Sequence, residues 1–309
     1  MTTSAQDAGS QKKMNNETAT NLSIRDLIIR NPGFAIHPLE WTAHHLELVN
    51  CHFQDASAPP DAKAPVYRED SIEKLKDLLD VYCWRSELFI DLFTDEGSPF
   101  KHMKGKPAFV FDRRNVLLAD CTVFILKTSA SEETVIPTAP LVAGFLDYDT
   151  VIRAREQRFA PYYSWPLNEP LLGWNKRKLR LCTPKIWTRD PYLLCVMLAL
   201  AQYNWELFES ERYPVRLVVH ASDDKVNAHV FHADFPMGVV DQVITPSTRT
   251  NDTWPTIYHT KIAYEPYGTF VDRLTTHLLN ANFETAAKGH EVGDKTVESE
   301  LSIRTAALA

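Results

Sequence analysis

The sequence predicts an α+β fold, a mixed and largely antiparallel sheet with packed helices, and three observations carry that prediction. Its β-type runs come in adjacent groups rather than in strict alternation with helical ones, which disfavours a doubly wound sheet. One segment is apolar along a single helical stripe and another is apolar nearly all round, the patterns of a helix lying on a core and of a helix inside one. The composition, 309 residues at 44% hydrophobic and 24% charged, belongs to a chain able to bury a substantial core.

In chain order, residues 1–21 are polar and nearly free of large apolar side chains, which predicts a flexible tail. A single globular domain is expected over 22–285, and a second flexible tail over 286–309. The proline-rich run Ala56–Pro65 comes too early to fence off a domain. From Glu69 to Phe93, Ile72, Leu75, Leu79, Tyr82, Phe89 and Phe93 recur at helical spacing and predict one amphipathic helix. Pro107–Asp112, Asn115–Lys127 and Ala139–Asp147 read as three strands of a meander. Thr150–Phe159 reads as a helix, and Asp190 followed by Pro191 starts the apolar helix Tyr192–Phe208. Val215–Ala221 and Ala228–Phe235 read as a hairpin across the loop Ser222–Asn227. Ile257–Tyr264 gives a further strand and Pro266–Phe283 a closing helix.

The formal charge of −7 and pI near 5.9 exclude a surface that is polyanion-binding throughout. Ten glycines, with no Gly-x-Gly-x-x-Gly and no Gly-x-x-x-x-Gly-Lys, leave little material for a phosphate-cradling loop. The five cysteines are scattered and never form Cys-x-x-Cys, so they read as reduced thiols of a cytoplasmic or nuclear protein. No run of 18 apolar residues and no apolar leader is present, so no membrane partner is expected.

The block KLRLCTPKIWTRDPYLLCVMLALAQ, residues 178–202, resembles one found in an uncharacterised family of filamentous-fungal proteins, and weaker similarity continues through VVHASDD and HVFHADFP. The resemblance covers about the middle third of the chain. It implies a specialised fungal role and transfers no activity, cofactor or site residue.

The densest polar cluster is His220, Asp223, Asp224, His229, His232 and Asp234 on the predicted hairpin. His232 and Asp234 point to one face of a strand, and His-x-Asp opens the facial triad of non-haem iron oxygenases, which needs a second histidine from His259, His277 or His290. The competing reading makes His220 and His229 cross-strand neighbours on an exposed hairpin. Asp147 and Asp149 could hold a divalent cation or cap a helix. The order helix, three strands, helix, strand matches the core of restriction-like nucleases. Glu87 and Asp120 would serve as its acids, but Ile125 stands where an acid should precede Lys127 by two residues, which implies a degenerate relative.

Charge departs furthest from a random distribution in residues 153–189. Arg153, Arg155, Arg158, Lys176, Arg177, Lys178, Arg180, Lys185 and Arg189 stand there against Glu156 and Glu169, a local +7. Tyr163, Trp165 and Trp174 lie among them, with Phe159–Trp174 expected as an irregular loop. This basic aromatic segment predicts an accessory protein that binds an anionic ligand or protein partner, through Arg153, Arg155, Arg158, Tyr163, Trp165, Trp174, Lys176, Arg177 and Lys178. The alternative reading of these charges pairs them with Asp80, Glu87 and Asp91. The alternative function is a metal-dependent enzyme using His232 and Asp234. The sequence names no cofactor.

Overall fold

Alternation of buried side chains along the central strands sets the architecture. In the computed structural model, which describes residues 23–57, 65–80, 84–95, 97–117, 121–127, 141–160 and 169–279, Val142 and Leu146 enter one hydrophobic core while Ala143 and Phe145 enter another. The same split separates Val215, Leu217 and Val219 from Val218, and Phe231 and Ala233 from Ala228 and Val230. Successive residues of a strand face opposite ways, so the sheet is covered on both sides and its strands are almost continuously apolar.

The helices and strands are α1 (Ile24–Arg30), α2 (Ala43–Val49), β1 (Phe53–Asp55), α3 (Asp70–Asp80), α4 (Arg85–Phe93), β2 (Phe100–Met103), β3 (Ala108–Phe111), β4 (Arg114–Leu117), β5 (Cys121–Leu126), β6 (Val142–Asp147), α5 (Tyr148–Arg158), α6 (Glu169–Cys182), α7 (Pro191–Leu207), β7 (Arg212–His220), β8 (Asn227–Pro236), α8 (Met237–Ile244), β9 (Ile257–Ala263) and α9 (267–279). Seven strands form one mixed, mostly antiparallel sheet in the order β1-β9-β8-β7-β6-β5-β2, with β6 parallel to β7 and β1 parallel to β9. The expected α+β fold is thus observed. α7 fills one side of the sheet, and α3, α4 and α9 cover the other. The predicted start of α7 is also observed: the Asp190 carboxylate accepts from the Tyr192 N–H, Pro191 occupies the first turn, and thirteen of the 17 residues are buried.

Several elements depart from expectation. The predicted helix 69–93 is two helices, with Trp84 in the left-handed region at φ 68° just before α4, a turn that 3.6-residue periodicity does not reveal. β3 and β4 form a separate ribbon, and the predicted strand Asn115–Lys127 is split into β4 and β5. The meander is instead completed by β2, which pairs with β5. Part of the expected loop 159–174 is the first turn of α6, which tolerates Pro170 because that turn's N–H groups have no helical partner. Both predicted tails and residues 280–283 of the closing helix lie outside the described residues.

Candidate functional site

The carboxyl ends of the parallel pair β6 and β7 carry Asp147 and His220, and the turn 221–226 runs on from β7 to the start of β8. Clefts outside the carboxyl ends of parallel strands are where α/β sheets commonly bind ligands. Two polar networks meet at this edge.

In the first network, Arg85 of α4 is 4% exposed and donates through Nη1 to Asp147 Oδ1 at 3.1 Å and to Asp149 Oδ2 at 2.7 Å. Its Nη2 donates to Ser222 Oγ at 2.9 Å, and Ser222 Oγ donates to Asp149. The guanidinium therefore occupies the place a divalent cation would take between the two carboxylates. Asp147 is the helix cap, accepting from the Asp149 N–H. Burial pushes the Asp147 carboxyl up, whereas at Asp149 the hydrogen bonds from Ser222 and Arg85 outweigh burial and hold it down. A cleft of about 650 Å³ opens beside this cluster, lined in part by Trp84, Glu87, Lys106 and Arg153.

In the second network, on the α7 side of the sheet, the register sets Phe231 opposite His259 and His229 opposite Lys261, so His229 and His259 are diagonal neighbours. His229 Nδ1 and His259 Nε2 are 2.9 Å apart, with the rings within 6° of parallel. The outer nitrogens meet carboxylates: His259 Nδ1 lies 2.8 Å from Asp55 Oδ1 and His229 Nε2 lies 3.1 Å from Asp224 Oδ2. Trp187 meets the His229 ring edge-on at 4.5 Å, and Phe231 stacks on His259 at 4.8 Å. Burial opposes an ionised Asp224, but the Asn227 side chain and the N–H groups of Val226 and Asn227 prevail and hold it down to about 2. Burial likewise pushes His229 down to about 4. A cleft of about 800 Å³ opens here between Asp55, Lys185, Trp187, Asp223 and Lys261.

His220 and His229 are not exposed cross-strand neighbours. Both are 1% exposed, they face opposite sides of the sheet, and the residue opposite His229 is Val219. His220 Nδ1 lies 2.9 Å from Tyr264 Oη. His232 and Asp234 do share a face, but Asp234 pairs with the buried Arg216 at 3.3 Å and the His232 ring stacks on Tyr258. His259 points to the other side. Among the described residues no three histidine, cysteine, aspartate or glutamate side chains are grouped to hold a metal. The facial triad is therefore not assembled among the described residues, and His290 lies outside them.

Among the described residues five strands stand between α4 and α5 rather than the three of the nuclease-like order, of which β2, β5 and β6 belong to the main sheet. The strand face beneath α4 carries Phe124, Ala143 and Phe145, and Phe89 stacks on Phe145 with ring centres 4.0 Å apart. Lys127 donates to the Ser98 carbonyl at 2.7 Å, and Asp120 lies outside the described residues.

The basic segment divides in two. Arg155 is 2% exposed and grips Asp190 through two bonds of 2.6 and 2.7 Å; Arg158 and Lys178 pair with Glu40, and Arg189 with Asp55. The acids that neutralise Arg155, Arg158, Lys178 and Arg189 are thus Asp190, Glu40 and Asp55. Arg155 is structural, and Arg153 sits apart at the 650 Å³ cleft. α6 keeps Lys176, Arg177 and Arg180 exposed, with Lys185 just beyond, and none of these four makes an ion pair with a described residue. Trp174 on the same helix is 57% exposed, with the Lys178 ammonium 5.6 Å from its ring centre. Tyr163 and Trp165 lie outside the described residues.

Asp55 and Arg85 were absent from the sequence-based candidates, because neither lies near a motif and both arrive through long-range pairing. No protein-family model and no curated protein matches the chain.

Proposed function

We propose that the chain is an accessory binding protein that takes a phosphate-bearing, anionic partner on the exposed face of α6. The observation that supports this is Trp174, 57% exposed on a helix that also presents Lys176, Arg177 and Arg180 to solvent. Leu171 and Leu181 on the same helix are 44% and 65% exposed. Apolar surface interleaved with cations suits a ligand with charged and flat parts: guanidinium forks match phosphate oxygens, and an exposed indole contributes about 1–3 kcal/mol per stacked base. The test is binding of a fluorescent single-stranded oligonucleotide at 50 and 200 mM salt. Wild type should bind and weaken with salt. Reversing Lys176, Arg177 and Arg180 to Glu should abolish binding at low salt, and Trp174→Ala should weaken it at both salt concentrations. Equal binding by all three proteins would exclude α6 as the site.

The strand order supports a second, compatible reading, a restriction-nuclease-like fold that binds without cleaving. Ile125 stands where that fold needs an acid two residues before Lys127, and the strand face beneath α4 carries Phe124 and Phe145 against Phe89. Incubation of DNA with the protein and magnesium should leave the DNA intact. Cleavage that disappears in Glu87→Gln would overturn the non-catalytic reading.

A further inference from the structure

The chain Asp55–His259–His229–Asp224 contains three contacts of 2.8, 2.9 and 3.1 Å, and each requires one proton between its two heavy atoms. Two neutral imidazoles supply two protons, and two ionised carboxylates supply none. At neutral pH the chain is one proton short, so one contact sets an acceptor against an acceptor. That mismatch costs least where water can relieve it. His229 is 1% exposed and the Asp224 side chain 20%, whereas the Asp55 side chain is 69% exposed. The protons therefore settle inward. His229 Nε2–H donates to Asp224, His259 Nε2–H donates to His229 Nδ1, and the lone pair of His259 Nδ1 is set against the exposed Asp55 carboxylate at the cleft.

We propose that this is an acid–base site, in which His259 Nδ1, fixed in one tautomer by His229 and Asp224 behind it, accepts a proton from a hydroxyl-bearing ligand held in the cleft. A base oriented by a second group, itself anchored on a buried partner, is the arrangement general-base chemistry uses. The ligand hydroxyl supplies the missing proton by donating to His259 Nδ1. In the transfer step its O–H bond breaks, the electron pair stays on oxygen, and His259 becomes an imidazolium paired with Asp55. A hydroxyl fits better than an ammonium because cations already face both carboxylates: Arg189 lies 3.6 Å from Asp55 and Lys261 lies 3.4 Å from Asp224. Lys185 and Asp223 complete the charged lining. Acidification supplies the same proton from solvent and closes the Asp55–His259 contact, so ligand and proton compete.

Imidazole nitrogen NMR combined with 4-nitrophenol, whose phenolate has its own absorption band, tests the proposal. At pH 7 wild type should show His259 protonated on Nε2 and not on Nδ1, and bound 4-nitrophenol should shift toward phenolate. In Asp224→Asn the side-chain amide donates to His229 Nε2, which reverses both tautomers and places a proton on His259 Nδ1. In Asp55→Asn the new amide donates to His259 Nδ1 and occupies the acceptor without changing the tautomer. Both variants should lose 4-nitrophenol binding at least tenfold. A His259 already protonated on Nδ1 in wild type, tautomers unmoved by Asp224→Asn, or no binding by wild type would each overturn the assignment. The oligonucleotide assay on α6 is independent of all three outcomes.

Discussion

Asp190 receives four hydrogen bonds at once, from Tyr148 Oη, both terminal nitrogens of Arg155 and the Tyr192 N–H. Its neighbours explain why a fully buried carboxylate is retained: it caps α7 and is the counter-ion of a guanidinium that has no route to water. Asp190→Ala should cost about 3–5 kcal/mol for the stranded Arg155, with about 1 kcal/mol more for the lost cap, read as a lowered denaturation midpoint. His277 is the opposite case. It is 8% exposed, neither ring nitrogen has a hydrogen-bond partner among the described residues, and burial pushes it down to about 4. A histidine depressed in the folded state contributes stability that is present above the unfolded pKa and lost as pH falls from about 6.5 toward 4, because the unfolded chain then binds more protons. The expected loss is about 1.4 kcal/mol per pH unit from this ring. His277→Leu should flatten that part of the stability profile and raise stability at pH 5 more than at pH 7. An unchanged profile in the variant would show that His277 is not the group titrating.

At the scale of the element, α7 and the strand beneath it are matched by a glycine. A Cβ on Gly144 of β6 would lie 2.7 Å from Leu200 Cδ1 and 3.0 Å from Cys121 Sγ, so the helix can approach the sheet only over a bare backbone. Gly144→Ala should destabilise by about 1–3 kcal/mol through overpacking. Leu194→Ala, at a fully buried position of the same helix, should cost about 2–5 kcal/mol through the cavity it leaves. Thermal melts of both variants test whether α7 organises the core, and an unchanged melting temperature for both would remove it from that role. Trp187 lies half-buried at the approach to α7 and also walls the 800 Å³ cleft. Its replacement is expected to affect the histidine pair as well as stability. The hydrophobic pattern located α7 because apolarity on every side of a helix is a local property. It did not separate α3 from α4, since the stripe continues across the break at Trp84 and a backbone turn leaves no mark in that pattern.

Across the whole molecule, a chain of −7 still presents Lys176, Arg177 and Arg180 together on one helix with no ion pair to a described residue, so attraction of an anion to that helix would be screened over about 8 Å at physiological salt. If α6 binds a single strand through Lys176, Arg177 and Arg180, removing those three cations should reduce the slope of log affinity against log salt by about 2. A variant with an unchanged slope would place the ionic contacts elsewhere. No helix among the described residues is long and apolar enough to cross a membrane. Local patterning determined the α+β class, the cap and course of α7 and the β7–β8 hairpin, because residues a few positions apart decide capping, periodicity and alternation. It also marked the polar residues of 220–234 as unusual. Tertiary structure alone decided their meaning. Alternation sends His229 to one side of the sheet and His220 and His232 to the other, while strand register brings His259 from 30 residues away and Asp55 from 204 residues away to complete a chain of four groups. The same holds for the basic segment, where charge density was legible in the sequence. Which cations are neutralised depended on Glu40 and Asp55, and only folding of the whole chain brings those acids to them.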